Sequence, residues 1–352
     1  MNWTPLTLTT PTRSHVFGGT QIRDRLGRQG LPAGRIAETW EVSDVEEDLA
    51  TIVDGPFSGV RLRELTLNYP DELVGRGWRG PHFPVLTKFI DGTGLLPVHL
   101  HADDETARRL EGQPNGKSEA WHILDAWPGA TALVGVKEGI GEDELREALW
   151  AEDWDRVMRR LPVRTGDTIY VPGGTLHSFG PGTLIYEIEQ TSNIQQHAMP
   201  WYMEDGSPVP PEQRRRNIDK LLEELRPEQR PVFTPPLLVS EADGVQRRLC
   251  CAGPYFALER WGAASGAIIT HTFDYALILS NVGAPVVLRA GDWTGRLGRA
   301  ETRLLPAALC EIAIDGPADL LMGWLPDLER DVRAPLVAAG YGYDTTARLG
   351  AI

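Results

Sequence analysis

The sequence predicts a mostly β protein, with strands recurring in both halves of the chain and a few helices inserted between them. Three observations predict it. Apolar and polar residues alternate over short runs, as in Thr39-Trp40-Glu41-Val42 and Leu184-Ile185-Tyr186-Glu187-Ile188-Glu189, which is the period of a half-buried strand. Proline and glycine punctuate such runs, and strand-like runs return over 227–352. Helical periodicity is confined to three stretches, near 103–111, 142–160 and 211–225.

In order, Leu6-Thr7-Leu8-Thr9 and Val16-Phe17-Gly18-Gly19-Thr20 read as strands, and the run Gly34 to Ser43 contains the next one. Phe83-Pro84-Val85-Leu86-Thr87-Lys88-Phe89-Ile90-Asp91 is another. Regular alternation there places Lys88 on the face of Leu86 and Ile90, so both faces are apolar and the lysine reads by default as solvated or supporting. A short helix is expected over 103–111, capped by Asp103 or Asp104. A longer amphipathic helix is expected over 142–160 from Leu145, Leu149, Val157, Met158 and Leu161. A third opens on Pro211 and stripes Ile218, Leu221, Leu222 and Leu225; its Arg214-Arg215-Arg216 run reads as a solvated face. Helices of this kind would cover the flank of a barrel made of strands.

The chain has 352 residues, enough for two domains or one elongated two-barrel unit. Its 41% hydrophobic and 24% charged content is ordinary for a soluble globular protein. A net charge of −14 repels polyanions, which argues against nucleic acid and anionic membranes as partners. It also means that a phosphorylated substrate would need a local positive pocket. Two of the three cysteines, Cys250 and Cys251, are adjacent, so no disulfide framework is expected. No run is apolar over the ~20 residues of a membrane span and Met1 to Thr10 lacks a signal pattern, so a cytoplasmic setting is expected.

The chemistry concentrates between Leu96 and His177. On an extended strand His99 and His101 share one face, and Val98 and Leu100 share the other. Glu119 opens a second apolar run containing Ala120, Trp121, Ile123 and Leu124. His177 follows the run Thr168 to Val171 and the turn Pro172-Gly173-Gly174. Three imidazoles and one carboxylate are a sufficient ligand set for a divalent metal of borderline softness.

The spacing from Gly166 through Pro172 and Gly174 to His177 resembles the second motif of the cupin superfamily, and His99-x-His101 resembles the start of its first. Glu119 trails His101 by 18 residues, and the acidic stretch Ala102 to Ala107 lies between them, ahead of Gly116-Lys117-Ser118-Glu119. In this the chain resembles the type I mannose-6-phosphate isomerases, as do Glu38-Thr39-Trp40-Glu41-Val42-Ser43 and the Phe83–Lys88 run. The resemblance implies two cupin-like jelly-roll barrels. A metal-binding domain with inserted helices would span 1–205, a helical connection 206–230, and a degenerate barrel without a metal site 231–352. There Leu304-Leu305-Pro306 echoes the motif around Pro172, and counting five on from Pro306 reaches Glu311 in place of a histidine. The lone His271 reads as structural.

The resemblance further implies interconversion of an aldose and a ketose by proton transfer between C1 and C2 of an open-chain sugar. One divalent metal, zinc first and Fe, Mn, Co or Ni also compatible, would be held by His99, His101, Glu119 and His177. Lys117 and Glu187 match the positions given catalytic roles, and Gln190 and His197 those near the substrate. The partner would be a small sugar or sugar phosphate, the protein a monomer or homodimer. Three departures bear on this: His99 stands where the family has Gln, Pro97 where it has Ser, and His197 at or near its Arg. A proline has no side-chain donor, and a neutral imidazole grips an anion less well than a guanidinium. Other readings are therefore an isomerase of an unphosphorylated or differently substituted sugar, a redox cupin using Mn or Fe, and a non-catalytic sugar-binding cupin.

Overall fold

The computed structural model describes residues 2–352. The chain is mostly β, and its strands form four sheets in which all pairings are antiparallel. A six-stranded sheet runs in the spatial order Thr12–Arg13, Glu38–Val42, Val85–Gly92, Thr183–Gln190, Glu119–Ala126, Thr168–Val171. A five-stranded sheet runs Gln196–His197, His99–Leu100, His177–Phe179, Thr131–Val136, Met158–Pro162. Their inner faces share one core, with Ile90, Trp121, Ile123 and Ile185 from the first meeting Ala132, Val134 and Phe179 from the second.

Each flank of this barrel is covered by what the sequence provides. Val98 and Leu100, on the reverse of the histidine strand, pack under Leu145 and Leu149 of the helix Glu142–Ala151 and Ile218 and Leu221 of the helix Pro211–Glu224. The reverse of the six-stranded sheet (Ala120, Leu184, Tyr186, Ile188) packs on Cys250, Leu258, Ile278 and Leu321. Those belong to a second six-stranded sheet, in the order Leu237–Ala242, Val245–Ala252, Ala257–Ala263, Ala318–Trp324, Leu277–Asn281, Thr302–Leu305. It closes over a four-stranded sheet of Ile268–Thr272, Glu311–Asp315, Val286–Ala290 and Trp293–Leu297, around a core of its own.

Several local expectations are corrected. The helix expected over 142–160 ends at Ala151, where Glu152 takes a left-handed φ of 59°; a single turn, Trp154–Val157, follows. Met158–Pro162 is a strand on the edge of the five-stranded sheet, because backbone pairing with Thr131–Val136 outweighs helical periodicity. Leu6 and Leu8 make only isolated bridges, to Leu304 and Ile52. Val16–Thr20 forms a turn with one bridge, Gly19 to Ile36. The acidic stretch is a short helix, Asp104–Thr106, continued by one wide turn over Ala107–Glu111, with Asp103 accepting the cap hydrogen bond from the Thr106 N–H at 2.8 Å. His271 is sandwiched by Trp261 and Phe273. Cys250 and Cys251 are buried thiols, Cys310 an exposed one. Among the described residues no helix is long and apolar enough to cross a membrane.

Candidate metal centre and acid–base cluster

His99 and His177 lie directly opposite each other on neighbouring strands, and strand alternation turns His101 to the same side. Their ring nitrogens come within 4.8 Å of one another. Each ring uses Nδ1 to donate to a main-chain carbonyl: His99 to Pro97 at 2.7 Å, His101 to Ile194 at 2.7 Å, His177 to Thr175 at 2.8 Å. That hydrogen bonding assigns the tautomer and leaves an Nε2 lone pair on each ring aimed at a common point. His99 Nε2 and His177 Nε2 are 3.0 Å apart. Glu119 joins them from the facing sheet, with Oε2 3.1 Å from His101 Nε2 and Oε1 3.1 Å from His177 Nε2, while the Trp121 indole N–H donates to Oε1 at 2.8 Å.

These contacts bring acceptors against acceptors. His101 Nε2 and Glu119 Oε2 are buried without a hydrogen-bond partner despite their 3.1 Å approach, as expected when neither atom carries a proton. Burial, with His177 and His101 nearby, pushes the His99 imidazole well below its ordinary pKa. Burial and then Lys117 take His101 down to about 4. Burial alone would raise Glu119, but His177, Lys117 and His101 hold its carboxyl well below the usual range. Imidazole nitrogens and an ionised carboxylate converging on one point are the donor set of a divalent cation. The residues fit the group.

Beside this centre lies a second buried cluster. Lys117 Nζ is 2.7 Å from Glu189 Oε2 and 3.4 Å from Glu119 Oε2. Lys88 Nζ is 2.8 Å from Glu189 Oε1 and 3.1 Å from Glu187 Oε2, and stands over the Trp40 ring at 4.3 Å. The Glu189 contacts are charge contacts rather than aligned hydrogen bonds, since neither oxygen accepts a well-angled one. Although burial opposes it, Glu189 and Glu187 raise Lys88 well above its ordinary pKa, and Glu189 likewise raises Lys117. Glu187 goes the other way for an acid: burial and then the Glu189 charge raise it well above the carboxylate range, against Lys88.

Both clusters open into one cavity of ≈ 340 Å³, whose wall includes His99, His101, Lys117, Glu119, Lys88 and Glu187. Arg13, Glu38, Trp40, Pro97, Phe179 and Glu204 complete much of it. Of the residues expected from the sequence, His99, His101, Glu119, Lys117 and Glu187 line this cavity, and His177 lies against their ring nitrogens. Gln190 and His197 do not line it. Gln190 spends its side chain on the protein, accepting from the Ser118 N–H at 2.8 Å and donating to Asp104 at 3.1 Å. His197 is opposite His99 on the sheet edge, half-buried near Glu204. Lys88 is the cavity residue whose role strand alternation leaves open, and the sequence marks Glu38 and Trp40 only as part of a strand. The usable signal was a lysine in a strand apolar on both faces, a place where charge persists only beside an opposite charge.

The fold and this geometry are those of a two-barrel cupin whose first barrel can hold a metal. No protein-family model matches the chain. Over 317 residues it is 27% identical to a mannose-6-phosphate isomerase of Streptococcus mutans, covering 90% of this chain and 97% of that one. Over 329 residues it is 27% identical to a mannose-6-phosphate isomerase of Bacillus subtilis, covering 92% and 100%. A crystal structure of the mannose 6-phosphate isomerase from Bacillus subtilis superposes with a TM-score of 0.82 at 27% identity, over 91% of this chain and 99% of that chain. A mannose 6-phosphate isomerase bound with zinc and yttrium shares the fold, with a TM-score of 0.72 at 14% identity over 92% and 100%. In sequence and in fold the chain is similar to the type I mannose-6-phosphate isomerases of the cupin superfamily.

Proposed function

We propose that the chain is a metal-dependent aldose–ketose isomerase that interconverts mannose 6-phosphate and fructose 6-phosphate. The observation that carries this reading is Glu187, buried in the same cavity wall as the imidazoles and drawn toward its protonated form. A group poised to hold and return a proton is what transfer between C1 and C2 requires. His99, His101, His177 and Glu119 would hold the metal, zinc by its preference for nitrogen and carboxylate donors, which supplies Lewis-acid stabilisation to the sugar oxygens when bound. Glu187 Oε2 is held by Lys88, leaving Oε1 to carry the transferred proton. Lys117, between Glu119 and Glu189, keeps both carboxylates ionised and fixed. Trp40 and Phe179 exclude water from the wall. Arg13, Lys88 and Lys117 supply positive charge for a sugar phosphate in a chain of net charge −14.

A second reading, isomerisation of an unphosphorylated sugar, is favoured by one observation. The cavity wall holds six acids (Glu38, Glu47, Asp48, Glu119, Glu187, Glu204) against those three cations, and His197 lies outside it. Turnover of mannose 6-phosphate and of free mannose by zinc-loaded protein separates the two. Turnover of the free sugar alone would replace the first reading by the second. Absence of C2 proton exchange in heavy water with either sugar would remove both.

A further inference from the structure

We infer that Asp104, held by Tyr255 of the second barrel, is a positioning residue that fixes Lys117 and Glu119 in the site. The inference rests on the function proposed above. Asp104 Oδ1 accepts the Gly116 N–H at 2.8 Å and the Gln190 side-chain amide at 3.1 Å, and Oδ2 accepts the Tyr255 hydroxyl at 3.0 Å. Gln190 grips the next peptide: its Oε1 accepts the Ser118 N–H at 2.8 Å, and its own N–H donates to the Ser118 carbonyl at 3.0 Å. Gly116 and Ser118 flank Lys117, and Ser118 precedes Glu119. Both main-chain units that set these two side chains are therefore tied, directly or through Gln190, to one carboxylate.

The segment is pressed against the start of the acidic helix. The Lys117 N–H donates to Ala102 O at 3.0 Å, and a Cβ at Gly116 would stand 2.4 Å from that same oxygen, so only glycine passes there. Gly173, on the loop leading to His177, is as close: its Cβ would stand 2.8 Å from Ala102 O, and its N–H donates to Ser118 Oγ at 3.1 Å. The His101–Asp104 backbone is thus a hub where the approaches to His101, Glu119 and His177 meet. Tyr255 belongs to the turn between Val245–Ala252 and Ala257–Ala263, 151 positions along the chain from Asp104. Through it the second barrel reaches the proton-transfer machinery of the first.

The test uses full-length, zinc-loaded Tyr255→Phe and Asp104→Ala. Tyr341→Phe serves as control, since its hydroxyl donates to Leu238 O at 3.2 Å within the second barrel. Partners that orient metal-site residues matter typically ~10–100-fold. Asp104→Ala is expected in that range for kcat and zinc affinity, and Tyr255→Phe at its lower end, with KM within about two-fold and faster amide exchange at Gly116–Glu119. Tyr341→Phe should change none of these. The inference is overturned if both site variants keep kcat and zinc affinity within about two-fold of wild type, or if Tyr341→Phe reproduces their losses. Should wild type fail to turn over mannose 6-phosphate, the functional reading falls alone, because zinc affinity and amide exchange still decide the role of Asp104.

Discussion

The two barrels arrange their strands in the same order and differ in what those strands point inward. In the first, Thr183–Gln190 lies between Val85–Gly92 and Glu119–Ala126; in the second, Ala318–Trp324 lies between Ala257–Ala263 and Leu277–Asn281. Glu187 is opposite Lys88 and Trp121, and Met322 is opposite Glu259 and Leu279. Glu119 opens its strand opposite Val171, as Leu277 opens its own opposite Leu305. The positions of Glu119 and Glu187 are therefore taken by leucine and methionine, both in the apolar core of the second barrel. The buried acid there, Glu259, stands where the first barrel has Lys88 and is neutralised by a two-pronged Arg247 contact at 3.0 and 3.0 Å. One barrel carries a buried cluster of mutually paired charges; the other has the interior of an ordinary core. The charged groups of the proposed site are confined to one of two copies of a shared strand order.

The comparison can be broken most severely at the imidazoles. Replacing His101 or His177 with Ala should abolish zinc retention and turnover, read by metal analysis after dialysis and by assay. Full zinc occupancy in either variant would remove that residue from the ligand set. Next in size, Glu187→Gln should keep zinc but lower kcat by about 10²–10⁴-fold, the usual contribution of a positioned acid–base group. An unchanged kcat would assign the proton elsewhere. Writing the first barrel's chemistry into the second sharpens the contrast: Leu277→Glu should destabilise the protein by about 3–5 kcal/mol, as an uncompensated buried charge does, and create no second zinc site. A denaturation midpoint equal to wild type would mean that this interior is not dry.

The smallest effect lies between the barrels. His122 is fully buried, with Nδ1 2.9 Å from Thr168 Oγ1 and Nε2 3.4 Å from an Arg260 nitrogen. Burial and then Arg260 lower its pKa from 6.5 to about 3. The folded value lies below the unfolded one, so the stability gained by keeping the ring neutral is complete above about pH 6.5 and is lost as pH falls toward 3. His122→Gln should flatten the stability–pH curve in that window. A curve as steep as that of wild type would contradict the assignment.

Much of the site was legible in the sequence because it depends on local alternation. His99 and His101 had to share a face once Val98 and Leu100 were apolar, and Glu187 had to share one with Glu189. The count from Pro306 to Glu311 also matches the structure, for both His177 and Glu311 open their strands after equivalent turns. What escaped depends on distance along the chain. Lys88 is explained by Glu187, 99 residues away, together with Glu189, and Gln190 by Asp104 and Ser118, 86 and 72 residues away. The 142–160 stretch failed for the same reason, since Met158 answers to Val136 across a strand pairing rather than to its own helix.

The far side of the Thr183–Gln190 strand has a practical consequence for anyone trimming this enzyme. Leu184, Tyr186 and Ile188 are covered by the second barrel, and Ser280 donates to the Tyr186 hydroxyl at 3.1 Å. A fragment ending near residue 230 would keep every proposed ligand and still present a broad greasy plate to water, the surface from which clumping begins. The half that carries the proposed site cannot be shortened into a minimal unit without first repainting that plate with polar residues.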